Sequence, residues 1–272
     1  MAREEESPAG YLWDNTLAEE KARLDAQAEI WDPYTSRYIE ALGIAPGWRC
    51  LEIGAGSGTM TRWLTDRVSP GGSVVATDID TRFLQALALP GVEVREHNIT
   101  TDDLEADAFD LVFARMVLMH LPDADTHLAK VAQAVRPGGW LLVQDVDLAF
   151  NESAMSAQFT WPSSIHRFAT KVMRSLNGLL SMTGASPGFA RDHAKRLIAL
   201  GLKDVGAETV NRLVWGDEHG PYKAAFQRVM PYLVQYGGMS EKDVQRRYDQ
   251  MCDPGVAFSS GPMVSAWGRR PA

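Results

Sequence analysis

Residues 51–58, Leu51-Glu52-Ile53-Gly54-Ala55-Gly56-Ser57-Gly58, run from an apolar stretch into three glycines at alternate positions. Upstream, WRCLEIG (48–54) reads as a short buried strand. Downstream, Met60, Trp63, Leu64 and Val68 follow the i, i+3, i+4, i+8 spacing of a buried helix face. The unit is therefore strand, glycine turn, helix. The same rhythm continues through the next hundred residues. SPGG (69–72) is a turn and SVVATDID (73–80) a second strand. TRFLQALAL (81–89) is a short helix closed by Pro90-Gly91. VEVREHNI (92–99) and FDLVFARM (109–116) are the third and fourth strands. Leu128, Val131, Ala132 and Val135 mark another helix face that ends at Arg136-Pro137-Gly138-Gly139, and WLLVQDV (140–146) is a fifth strand. Strands joined by helices need crossover connections, so the expectation is an α/β fold with a parallel sheet covered on both faces.

Around this core the pattern is less regular. Residues 16–42 read as two helices broken at Trp31-Asp32-Pro33, because the residue before a proline is pushed out of the helical region. Residues 151–186 read as helical and as an insertion. FARDHAKRLIALG (189–201) is a helix and LKDVGAETVNRLV (202–214) a strand. Residues 217–251 are helical again. MVSAWGRR (263–270) is a last strand, expected to close the sheet edge. The expected division is 1–45 as an N-terminal helical cap, 46–150 as the core, 151–188 as a helical lid, and 189–272 as the rest of the sheet with a second helical insertion.

Composition narrows the function. The 272 residues carry 27 Lys+Arg and 35 Asp+Glu, a net charge of −8, which opposes a main role in coating nucleic acid or an anionic membrane. No apolar run approaches the roughly 18 residues of a membrane span. MAREEESPAG has no apolar core of the kind a secretory signal needs. Cys50 and Cys252 form no CxxC spacing, so neither a disulfide framework nor a metal site is expected, and a reducing cytoplasm is the expected compartment.

The chemistry lies at the strand ends. Glycines let backbone approach a ligand without a Cβ in the way, and the helix that follows offers unpaired N–H groups. Asp78 ends the second strand 24 residues after Gly54, where a carboxylate can accept both ribose hydroxyl protons, while Asp80 can cap the following helix. His97-Asn98-Ile99, Ala114-Arg115-Met116 and Gln144-Asp145 end the next three strands. In open α/β sheets ligands bind at this carboxyl edge. A dinucleotide fingerprint wants GxGxxG, but position 59 is Thr and the third glycine is Gly58. Glu52, two residues before the first glycine, suits a ligand with a cationic amine better than a pyrophosphate.

Glu-x-Gly-x-Gly-x-Gly resembles motif I of class I S-adenosylmethionine (SAM) methyltransferases. The resemblance extends to VVATDID, EHNI, FDLVFARMVLMHLPD and RPGGWLLVQDVD, covering roughly residues 46–148 in order. AWGRRP resembles, more loosely, small-molecule methyltransferases of bacterial secondary metabolism. The resemblance implies a Rossmann-like, doubly wound, seven-stranded sheet, mostly parallel with an antiparallel last strand. It also implies SAM as cofactor. Glu52 would lie near the methionine ammonium, and Gly54, Ala55, Gly56, Gly58 and Thr59 would line the ligand. Asp78 would hold the ribose and Ile79 pack on adenine. Asn98 and Ile99 would meet the adenine, and Arg115 and Met116 face the methionine part. Many relatives have Asp at position 98 and Glu at position 144, where this chain has Asn98 and Gln144.

The expected reaction is methyl transfer to a small, largely apolar acceptor, O-methylation first, with N- or C-methylation open. His120 and His166 are the candidate bases, and Tyr11, Tyr34, Phe159, Trp161 and His166 the candidate acceptor contacts. His127 is expected to be solvated, His193 structural, and His219 without a clear partner. A nucleic-acid substrate is not expected, and the protein is expected to be a monomer or homodimer. Two other readings stand beside this one: a SAM-binding fold without methyl transfer, and an NAD-dependent oxidoreductase.

Overall fold

The computed structural model describes residues 20–272 except 217 and 219. Tyr11, Trp13 and His219 therefore lie outside the described residues. The strands are β1 (Arg49–Ile53), β2 (Ser73–Asp78), β3 (Val92–Glu96), β4 (Phe109–Arg115), β5 (Val135–Val146), β6 (Lys203–Val210), β7 (Leu213–Trp215), β8 (Ala257–Ser259) and β9 (Met263–Arg269). The helices are α1 (Glu20–Ala41), α2 (Thr59–Val68), α3 (Arg82–Gln85), α4 (Ala124–Ala134), α5 (His166–Met182), α6 (His193–Ala199), α7 (Gly220–Gln235) and α8 (Glu241–Cys252).

Seven strands form one sheet in the order β3-β2-β1-β4-β5-β9-β6. The pairs from β3 through β5 are parallel, and β9 is antiparallel to both its neighbours. Alternation along each strand sends side chains to opposite faces. Leu51, Ile53, Val112, Leu141 and Val143 pack with Leu128 and Val131 of α4 and Leu197 of α6. Cys50, Leu111, Phe113 and Leu142 pack with Met60, Leu64 and Val68 of α2 and Tyr38 and Ile39 of α1. A third core lies off the sheet, where Ala169 and Val172 of α5, Phe226 and Val229 of α7, Val244 and Met251 of α8 and Phe258 of β8 meet. No helix among the described residues is long and apolar enough to cross a membrane.

Three expectations about elements are corrected. The helix α1 runs unbroken through Pro33. It is fastened on both sides of the proline by Asp32, which pairs with Arg115 at 2.7 Å, and by Thr35, whose single hydroxyl proton can go to the Trp31 carbonyl or to Gln144 Oε1, at 3.0 and 2.8 Å. These tertiary bonds outweigh the lost backbone hydrogen bond. The last strand β9 does not close the edge but inserts between β5 and β6, leaving β6 outermost. Residues 202–214 are not one strand, because the chain leaves the sheet after Val210 and β7 pairs with β8 in a separate two-stranded sheet.

The strand order reverses between β1 and β4. Loops leaving these neighbours diverge to opposite sides and open a crevice at the carboxyl edge.

Candidate active site

The glycine loop leaves β1 with Gly54, Gly56 and Gly58 all at positive φ (68°, 55° and 78°), a region that side chains with a Cβ enter only with strain. A Cβ on Gly54 would collide with Val117, on the loop after β4. The loop thus comes close to its neighbour across the crevice only because residue 54 has no side chain. Gly58 begins α2 without a side-chain cap, which leaves the first-turn N–H groups of that helix to the site.

Asp78 turns its carboxylate back onto this loop. Its Oδ2 accepts from the Gly56 N–H at 2.8 Å and its Oδ1 from the Asp80 N–H at 3.1 Å. Burial raises its pKa, with these bonds pulling the other way. Asp80 instead accepts from the backbone and guanidinium of Arg82 at the start of α3. Ile79 leaves 53% of its surface exposed, although it stands beside the loop and faces a cavity.

That cavity has a volume of about 690 Å³. Of the residues singled out in the sequence, Gly54, Ala55, Gly56, Thr59, Asp78, Ile79, Asn98, Ile99, Arg115, Met116 and His120 line it. Met116 sits at φ 55°, a left-handed conformation rare for its type, at the carboxyl end of β4. The opposite half is walled by the α5, α7 and α8 layer, with Met173, Leu176, Phe226, Val229 and Met251 as its apolar members.

Several expected residues are not brought together with these. Gly58 and Glu52 do not line the cavity. Glu52 lies beneath the loop, 4% exposed, and its Oε2 accepts from the Thr61 hydroxyl at 2.6 Å. Burial pushes its carboxyl up to about 7 against the pull of Thr61 and Arg115. Arg115 contributes backbone to the wall, while its guanidinium reaches α1 at Asp32 and Thr35. The Asn98 oxygen, expected to accept from adenine, already accepts from the backbone and hydroxyl of Thr100, which fills both its lone pairs. Gln144 is buried between Thr35 and Ser265 and takes no acid role.

The expected acceptor contacts need more correction. His166 begins α5 away from the cavity, with its ring nitrogen 3.0 Å from the Ser156 hydroxyl. Trp161 is 58% exposed and outside the cavity, held by backbone bonds to Ala257. Phe159 lines a separate, smaller cleft. Tyr34 packs against the sheet core. Phe159 and Trp161 lie among the short 3₁₀ turns of 148–165 and His166 at the start of α5, and none of the three lines the cavity. His127 is buried rather than solvated. His193 is fully buried and pairs with Asp145 at 3.0 Å, a structural setting.

Sequence reasoning missed the long-range part of the wall. Arg23 and Gln27 of α1, Phe83 after β2, Arg247 of α8 and Ser259 of β8 all face the cavity. Buried Glu20 clamps this side, receiving Arg23 from its own helix and Arg228 from α7, each at 2.6 Å. No local motif marks these positions. Arg247 falls on the apolar stripe of an amphipathic helix, which was its one available signal.

A glycine loop, an open helix start, a strand-end carboxylate and an exposed isoleucine meet in one crevice of a Rossmann-like sheet. The comparisons agree. Residues 51–143 match the family model described as a methyltransferase domain. Methyltransferase str2 of Strobilurus tenacellus is 36% identical over 135 residues, covering 48% of this chain and 47% of the relative. Nocamycin O-methyltransferase of Saccharothrix syringae is 31% identical over 118 residues, covering 41% and 42%. The chain thus spans about half the length of the curated relatives it matches. Phosphoethanolamine N-methyltransferase 2 of Haemonchus contortus, solved with phosphomonomethylethanolamine and S-adenosylhomocysteine, shares the fold with a TM-score of 0.56 at 15% identity, covering 93% of this chain and 58% of that one.

Proposed function

We propose that this protein transfers a methyl group from SAM to an oxygen atom of a small, largely apolar acceptor, as in the tailoring of bacterial secondary metabolites. The observation that carries this reading is one cavity with two unlike halves. One half has the glycine loop, Asp78 and Ile79; the other has the apolar side chains of α5, α7 and α8. Its volume falls within the roughly 300–1,000 Å³ of small-molecule sites. The residues fit the cofactor: the loop offers close backbone approach, Asp78 a ribose partner and Ile79 an apolar platform, while Glu52, beneath the loop and outside the lining, would act on the methionine ammonium through water. Bound there, SAM supplies a methyl group already activated on a sulfonium. The protein then needs chiefly to align the acceptor and exclude water.

His120 lines the cavity on the segment that follows β4. Burial holds its imidazole down to about 4, so it is neutral at physiological pH. Nearby Asp145 favours the protonated ring. In this reading His120, from its place in the wall, takes up the proton that the acceptor hydroxyl releases as its oxygen is methylated. The O-methyltransferase among the relatives supports an oxygen acceptor. Incubation with isotopically labelled SAM and a panel of hydroxylated, amine and carbon-acid acceptors tests the reading. Label should pass to a hydroxyl, and binding of S-adenosylhomocysteine without any transfer would leave a SAM-binding fold with another task.

Glu52 supplies a pH-dependent check. Its pKa in the ligand-free fold, about 7, lies above the ordinary 4.5, so the fold favours the neutral form and loses that contribution as pH rises through 7. An ammonium favours the charged form. S-adenosylhomocysteine should therefore bind more tightly from pH 6 to 8 in the native protein. In Glu52→Gln, binding should be weaker by roughly 10- to 100-fold, the scale of a hydrogen bond to a charged group, and flat with pH. Calorimetry across this range reads both, and a flat native profile removes Glu52 from the ammonium.

A further inference from the structure

We propose that the methyl acceptor carries a carboxylate and that Arg247 is the residue that holds it. This rests on the reading of the apolar half of the cavity as the acceptor site. Arg247 shares one face of α8 with Val244 and Met251, at the i, i+3, i+7 positions that the helix buries. An aliphatic side chain would serve packing there. Instead a guanidinium is buried to 6% exposure and lines the cavity beside Met251, Phe226 and Ser259.

Among the described residues it has no hydrogen-bond acceptor and no carboxylate. Its Nε and Nη1 are both buried without a partner. The other arginines of the cavity wall are matched: Arg23 with Glu20, Arg115 with Asp32. Arg247 instead lies over the Phe258 ring, 3.5 Å from its centroid. Face stacking compensates part of the charge and leaves the donors at the edge of the fork for a planar acceptor. Burial alone pulls its pKa down to about 9, so the group stays cationic at neutral pH. An unpaired buried charge of this kind opposes folding unless something else gains from it.

The ligand chemistry follows from the surroundings. A guanidinium edge matches the two oxygens of a carboxylate. One cation in an apolar wall neutralises a monoanion; a phosphate monoester dianion would remain half-compensated among Met and Phe side chains. The acceptor is thus an organic acid whose apolar body lies among Met173, Leu176, Phe226 and Val229.

The test uses the full chain, with and without saturating S-adenosylhomocysteine. Benzoate, 4-hydroxyphenylacetate and octanoate are titrated against their methyl esters and primary amides, with phenyl phosphate alongside. At least one carboxylate should bind about tenfold or more tightly than its ester and amide, and more tightly than phenyl phosphate. Arg247→Met should erase the difference, and Arg247→Lys should retain part of it. In the absence of ligand, Arg247→Met should melt at or above the native temperature, since it removes an uncompensated charge. The proposal is overturned if no carboxylate outbinds its ester, if phenyl phosphate binds best, or if Arg247→Met keeps the preference. A variant that melts several degrees lower would likewise make Arg247 a packing residue. Failure of S-adenosylhomocysteine itself to bind would count against the methyltransferase reading instead, with the carboxylate titrations still judging Arg247.

Discussion

Replacing His120 by alanine is expected to lower the rate of methyl transfer by roughly two to four orders of magnitude, the usual contribution of a positioned base. S-adenosylhomocysteine affinity should stay within about threefold, under ~0.7 kcal/mol, because the nucleoside half of the cavity is built by other segments. The native enzyme should show no inflection near pH 6.5, since burial keeps the His120 ring neutral down to about 4. The variant should recover part of its rate at high pH, where the acceptor hydroxyl ionises unaided. The same burial acts on stability with a definite sign. The unfolded imidazole takes a proton below its ordinary 6.5 and the folded one only near 4. Stability from this group is complete above 6.5 and falls as pH drops from 6.5 to 4, a slope that His120→Ala should remove. Steady-state rates and melting curves across pH 4–9 read both effects. A variant with native turnover would leave alignment without a base as the mechanism.

Gly56→Val should abolish measurable cofactor binding, a loss of at least about 100-fold, or ~2.7 kcal/mol. Residue 56 sits at φ 55°, where a β-branched side chain is strained. Its N–H also holds Asp78 in place at 2.8 Å. Among the described residues an added Cβ would meet the Leu24 methyls, at 3.4 and 3.7 Å, so the side chain projects into the cavity rather than into backbone. Folding should therefore survive better than at Gly54, where the collision is with Val117. Calorimetry with S-adenosylhomocysteine on a variant of native circular dichroism is the measurement. Unchanged affinity there would remove the loop from the cofactor site.

Much of the architecture was legible because it repeats locally. Alternation at 50–53 and 111–114 announces two buried faces, and each faces its own helix layer. Glycines at 54, 56 and 58 announce a turn that needs positive φ, and all three adopt it. Asp78 was readable from its place after a strand, and Asp80 from its place before a helix. The resemblance to methyltransferases rested on this same stretch, and the matched domain is residues 51–143.

What the sequence could not supply are the partners of side chains far apart in the chain. Pro33 predicts a break, yet Asp32 and Thr35 find Arg115 and Gln144 more than 80 residues away and hold α1 straight. Trp161 and His166 were read as acceptor contacts, but they follow short 3₁₀ turns and neither lines the cavity. Arg247 reads as one more charge in EKDVQRRYDQMC, and only the assembled cavity shows it buried without an acceptor. Backbone periodicity and glycine positions are properties of a few consecutive residues, so the sequence alone determined the parallel core β1–β5 and its glycine turn, but not where β9 and β6 join the sheet. Which side chains meet across the crevice depends on how separately formed layers pack, so the α5, α7 and α8 wall of the cavity was decided only by the tertiary structure.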